Sequence, residues 1–180
     1  GSADAAAVLR ALNKLYGAPL SQTALAEAAS TLGADVPFCV SGGTAFAFGF
    51  GEKLCPLPSA KLYFVLITDS TPLSTPQMYK ELDEGVRSPA NAISCKEAIE
   101  NGDIKGAARL AANSFLLLAA RKCPSVTKNI SLLTENGALG ACITGKGPTV
   151  FGAFTSEEAA RLCHDAINGS IFCESVDISE

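Results

Sequence analysis

The strongest constraint on the fold is the run Leu62–Thr68, Leu-Tyr-Phe-Val-Leu-Ile-Thr. It has neither helical period nor alternation, and it is rich in β-formers, so it reads as a strand covered on both faces. Such a strand needs neighbours in a sheet and helices packed over them. The chain downstream supplies both. Helical patterns cover Pro76 to Glu84, Asn91 to Asn101 and Asp103 to Lys122, the last with Ile104, Ala108, Ala111, Phe115 and Leu118 on one stripe. Pro124 interrupts, and Val126, Ile130 and Leu133 continue a shorter helix that Gly137 closes. Leu139 to Thr144 and Thr149 to Phe154 read as strands around a Gly145-Lys146-Gly147-Pro148 turn. Thr155 with Glu158 forms a capping box for a helix to Ile167, and Ser170 to Val176 is a last strand. The order strand, helices, strand, strand, helix, strand is the split β-α-β of ferredoxin-like domains with extra helices after the first strand.

Upstream of that run the pattern differs. Ala3 to Tyr16 reads as a helix with Ala5, Val8, Leu9, Leu12 and Leu15 on one stripe, ended by Gly17. Ser21 caps a second helix, with Leu20 and Leu25 spaced for a hydrophobic staple. Gly33-Ala34-Asp35-Val36-Pro37-Phe38 then leads as a loop into a glycine-punctuated β region. There Thr44 to Phe50 alternates small residues with Phe46, Phe48 and Phe50, and Lys53 to Leu57 is the return strand. Pro56, Pro58 and Ser59 form the one convincing linker. The expected class is therefore α+β, with a domain over residues 1–58 and a second over 59–180.

Composition removes several function classes. The net charge is −4 and the basic residues are scattered, which disfavours nucleic acid. The longest nearly apolar helical run, Phe115 to Ala120, is far short of the roughly 20 residues a spanning helix needs, so no membrane partner is expected. The seven cysteines are widely spaced without a Cys-x-x-Cys pair. They read as reduced, packed thiols of a cytoplasmic protein rather than a disulfide or zinc framework, and no metal ligands are assigned. His164 is the single histidine and lacks an acidic or cysteine partner at ligand spacing, so a histidine-based triad is out.

Three places can carry chemistry. Gly140 to Lys146 fits the front of a phosphate-binding P-loop, but Gly147 and Pro148 stand where a Ser or Thr should open a helix, and the turn joins two strands. A P-loop is rejected. Gly1-Ser2-Ala3-Asp4 opens a helix, whose free amides and positive dipole end favour an anion. Asp35, beside Pro37, either caps a turn or serves as a general base toward a substrate hydroxyl.

Taken together, Gly1-Ser2-Ala3-Asp4, Gly33-Ala34-Asp35-Val36-Pro37-Phe38, Gly42-Gly43-Thr44-Ala45, Gly49-Phe50-Gly51-Glu52 and Thr144 to Phe151 resemble, in that order, the GHMP small-molecule kinases. The resemblance covers essentially the whole chain. The Gly-Ala-Asp-Val-Pro-Phe stretch points, within that family, to the branch acting on a cytidyl-diphospho sugar alcohol in non-mevalonate isoprenoid synthesis. The resemblance implies ATP and Mg²⁺ as co-substrate and cofactor. It places Gly1, Ser2 and Ala3 in the tail of the ATP-phosphate loop and makes Asp35 the catalytic base. It makes Gly145, Lys146 and Gly147 the third family motif beside the phosphates, where Lys146 either adds a phosphate contact or points into solvent. Asn113 lies where such kinases often show Asn-Asp, but Ser114 replaces the second residue, so no role is carried over to it. Relatives of this kind carry a further N-terminal segment holding a lysine, the nucleoside pocket and most of the phosphate loop. The resemblance therefore implies that these 180 residues are an incomplete kinase, inactive alone. The alternatives are a homoserine- or mevalonate-type member of the same family, or a non-catalytic ferredoxin-like binding module. Oligomeric state is not readable from the sequence.

Overall fold

The computed structural model describes residues 1–59, 61–85 and 91–175. The chain divides into two compact units, one built from Gly1–Ser59 and the other within Ala60–Ser175. The expected last strand is Ile171–Glu174; Val176 lies outside the described residues.

The first unit holds three helices, α1 (Ser2–Leu15), α2 (Gln22–Ser30) and α3 (Val36–Ser41), and a hairpin of β1 (Thr44–Phe48) and β2 (Lys53–Leu57). Ser21 caps α2 as its sequence implies, its hydroxyl accepting the Ala24 N–H at 3.2 Å. The apolar stripe of α1 is only partly used. Ala6, Leu25, Ala29, Val36 and Val40 form the small core, with Ala5 and Leu9 packed on it. Val8 and Leu15 stay 58% and 78% exposed. Helix α3 replaces the loop expected after Asp35. Pro37 stands in its first turn, where a missing N–H costs nothing and the ring's fixed φ suits a helix. Strand β1 stops at Phe48 rather than Phe50, because the Glu52 carboxylate accepts the Phe50 N–H at 2.8 Å and closes the turn. That same contact, with the Glu52 backbone bond ahead of it, holds the Glu52 carboxyl below its usual pKa.

The second unit is a four-stranded antiparallel sheet in the order β4-β5-β3-β6, the ferredoxin-like arrangement that the sequence order implies. Its strands are β3 (Tyr63–Ile67), β4 (Gly140–Ile143), β5 (Val150–Phe154) and β6 (Ile171–Glu174). Between β3 and β4 come α4 (Thr75–Glu84), α5 (Ala92–Glu100), α6 (Ile104–Arg109), α7 (Leu116–Lys122) and α8 (Ser125–Glu135), and α9 (Glu157–Ala166) joins β5 to β6. Phe154, Met78, Leu133, Ile143, Val65 and Val126 are fully buried, each worth about 1.5–3 kcal/mol relative to exposure. Strand β3 is less enclosed than its run implies: Val65 is buried and its four strand neighbours are half-buried.

Two expectations fail locally. The single helix expected over Asp103 to Lys122 is two, α6 and α7, separated by residues 110–115. Asn113 and Ser114 stand in the gap, residue types whose short polar side chains compete with helical backbone bonds. The N-cap of α9 is Ser156, accepting the Ala159 N–H, not Thr155. All seven cysteines are free, and Cys123, Cys142 and Cys163 are buried. Burial pushes the Cys142 and Cys163 thiols above their ordinary pKa, which keeps them protonated and inert.

Candidate functional site

In the first unit, Asp35 stands at the N-cap position of α3 with an exposed carboxylate that makes no capping bond. Its backbone carbonyl accepts the Cys39 N–H at 3.3 Å, so main chain rather than side chain starts the helix. The carboxylate lies beside the β1–β2 turn, where a Cβ on Gly51 would sit 3.6 Å from Oδ1. Of the two roles open to it, the turn cap is the one that this geometry does not use. The acceptor capacity of the group remains available.

Gly1 is the N-cap of α1, and Ser2 and Ala3 begin its first turn. The Ser2, Ala3 and Asp4 amides precede the first intrahelical bond, which runs from the Ala5 N–H to the Gly1 carbonyl at 3.0 Å. Ala3 also lines a cavity of about 490 Å³ with Ala7 and Arg10 of α1 and with Phe38, Cys39, Gly42 and Gly43. The structure thus brings the start of α1 together with the Gly42-Gly43 pair. Asp35 does not line that cavity.

In the second unit, the Gly145-Lys146-Gly147 motif forms the tip of the β4–β5 hairpin. The Thr144 N–H donates to the Thr149 carbonyl at 2.9 Å, and the Gly147 N–H to the Thr144 carbonyl at 2.8 Å. Gly145 and Gly147 take φ of +50° and +79°, left-handed conformations that favour glycine. A Cβ on Gly147 would also press on Ala119 at 3.3 Å. Lys146 forms no ion pair among the described residues.

Beside this loop is a second cavity of about 360 Å³, lined by Thr75, Tyr79, Asn113, Ser114, Phe115, Gly145 and Lys146. The Tyr79 ring is 55% exposed and meets Phe115 edge-on at 4.9 Å between centroids. Sequence reasoning missed Thr75 and Tyr79 and gave Asn113 no role. One signal was available for Tyr79: it is an aromatic off the Met78–Leu82 buried stripe of α4. Elsewhere Asp69, after β3, accepts from the Ser125 hydroxyl at 2.6 Å and from the Thr71 N–H at 2.7 Å. Those bonds, Ser125 first, lower its pKa to about 2. Ser125 in turn lies 3.0 Å from the Cys123 sulfur. All these groups are satisfied by one another, so the cluster fastens the loop after β3 to the start of α8.

Comparison with known proteins adds to this geometry. The family model described as the GHMP kinases N terminal domain matches residues 1–43, and the GHMP kinases C terminal model matches 95–170. A curated 4-diphosphocytidyl-2-C-methyl-D-erythritol kinase from Caldicellulosiruptor saccharolyticus is 39% identical over 169 residues, 93% of this chain and 58% of that protein. Its namesake from Listeria innocua is 39% identical over 178 residues, 98% of this chain and 60% of that protein. The chain therefore spans about three-fifths of the length of the curated relatives it matches. Among solved structures, a 4-(cytidine 5'-diphospho)-2C-methyl-D-erythritol kinase is similar with a TM-score of 0.76 and 30% identity, covering 96% of this chain and 63% of that one. The L. major mevalonate kinase (TM-score 0.72, 18% identity, covering 99% of this chain and 66% of that one) and the homoserine kinase of Cytophaga hutchinsonii (0.69, 20%, covering 96% and 63%) share the fold.

Proposed function

Because the chain belongs to the GHMP kinase family, we propose that it contributes to ATP-dependent phosphorylation of the 2-hydroxyl of 4-diphosphocytidyl-2-C-methyl-D-erythritol, a cytoplasmic step of non-mevalonate isoprenoid synthesis. Residues 1–58 are assigned to the N-terminal GHMP domain and 59–180 to the C-terminal one. The observation that carries the mechanism is the Asp35 carboxylate, exposed at the head of α3 and unused by any cap. It accepts the proton of the attacking hydroxyl as that oxygen bonds to the γ-phosphorus and the β–γ bridging bond breaks, releasing ADP.

Gly1, Ser2 and Ala3 are assigned to the nucleotide phosphates. The fit rests on the amides of the first turn of α1, which have no intrahelical partner, and on the open cavity beside Ala3. Among the described residues, no three acidic, histidine or cysteine side chains converge. Mg²⁺, bound with the nucleotide, would neutralise phosphate charge. The Gly145-Lys146-Gly147 loop is assigned to the substrate side of the cavity it shares with Tyr79, where the aromatic face and the ammonium suit a ligand that is part ring and part anion. The naming of the relatives at 38–40% identity supports the cytidyl-diphospho substrate over homoserine or mevalonate. The homoserine and mevalonate kinases share the fold alone, at 20% identity or less.

The test is Asp35→Asn in the transfer-competent protein. Turnover should fall by a factor on the order of 10²–10⁴ while ATP binding is retained, measured by coupled ADP release and by nucleotide titration. Turnover close to that of the parent would remove Asp35 from the role of base.

A further inference from the structure

Asn113 occupies the gap between α6 and α7, yet its side chain is committed 30 residues away. Its Nδ2 donates to the Ile143 carbonyl at 3.2 Å and to the Gly145 carbonyl at 2.7 Å, while its Oδ1 accepts the Phe115 N–H at 2.9 Å. The hairpin's own turn bonds, at Thr144 and Gly147, leave the Gly145 carbonyl unengaged. Gly145 and Thr144 are exposed whereas Lys146 and Gly147 are half-buried, so burial does not hold the Gly145 side of the tip in place. Asn113 and Lys146 line the same cavity.

We infer that Asn113 is a positioning residue for the Lys146-bearing loop, an assignment that rests on the kinase reading given above. One planar carboxamide supplies the two donors and the acceptor that these three groups require. The reverse amide orientation would set its oxygen against two carbonyls. An ionised carboxylate of the same shape has no donor at all and would face both carbonyls with negative charge. The loop therefore owes the placement of Gly145 and Lys146 to the hydrogen-bonding character of residue 113 rather than to its volume. Asn113 acts through the loop and is not itself a catalytic residue.

That distinction sets the experiment. Asn113→Asp keeps the shape and loses the donors, whereas Asn113→Ser loses most of the volume but not the polarity. Amide exchange in the 180-residue chain is followed at Thr144 and Gly147, with Val65 at the sheet centre as the reference, after circular dichroism shows that both variants fold. The expected result is about a tenfold loss of protection at the tip in Asn113→Asp, the scale of the hydrogen bonds removed. The loss in Asn113→Ser is equal or smaller, with Val65 unchanged in both. In the transfer-competent protein, KM for the sugar-alcohol substrate rises about tenfold in Asn113→Asp while kcat stays within about twofold, the pattern of lost binding. Unchanged tip protection in a folded Asn113→Asp variant overturns the inference. So does a larger loss in Asn113→Ser, which would mark a packing role. Absence of transfer in the unsubstituted protein would count against the kinase reading alone, because the exchange order still decides the role of Asn113.

Discussion

Gly140 shows how a single missing atom can set a close approach. A Cβ there would collide with the Ala108 carbonyl and press on Ala111, so the end of α6 lies against β4 only because position 140 has no side chain. Relieving that collision requires α6 or β4 to move within a packed layer. Gly140→Ala should therefore destabilise the chain by about 1–3 kcal/mol, the usual range for an overpacked core site, measured as a shift of the urea midpoint. A midpoint equal to that of the parent would mean that α6 yields freely. Asp35 illustrates the opposite limit of what a sequence tells. Its type and its neighbours Gly33 and Pro37 singled it out, but whether its carboxylate was free or committed to a cap depended on α3, which the Val-Pro-Phe stretch concealed.

The secondary-structure elements were legible where short-range rules decide them. Ser21 capped α2, and the sheet order followed from the succession of strand and helix patterns. They were not legible where a distant partner decides. The break between α6 and α7 is stabilised by Asn113 bonding to the Ile143 carbonyl at the end of β4 and the Gly145 carbonyl in the turn after it, and no local pattern carries that information. The Asp69–Ser125 contact is of the same kind, linking residues 56 positions apart, whereas the Thr71 contact is local. Their sign is clear: the folded pKa of about 2 lies below the unfolded value of about 3.9. The bonds to Ser125 and Thr71 thus stabilise the fold fully above that unfolded value. The contribution is lost as pH falls through the interval from about 4 to about 2. Asp69→Asn should flatten the acid side of the stability profile, read as urea midpoints at pH 6, 4 and 2.5. An unaltered profile would show that other carboxylates set it.

For the chain as a unit, the α+β class and the split β-α-β core were readable because hydrophobic period and turn residues agree along the whole sequence. The cavity beside the hairpin was not. Its lining comes from three separated segments, Thr75 and Tyr79, Asn113 to Phe115, and Gly145 with Lys146, and only folding brings them together. The sequence contains no tryptophan and three tyrosines, at positions 16, 63 and 79. Tyr63 is stacked on Phe172 and covered by Lys61, and Tyr16 stands 75% exposed. Tyr79 alone of the three lines the cavity beside the hairpin. The molecule thus carries a native optical reporter: tyrosine emission, corrected for the absorbance of the cytidine base, should change as the proposed substrate is titrated in, and that change should be lost in a Tyr79→Phe chain.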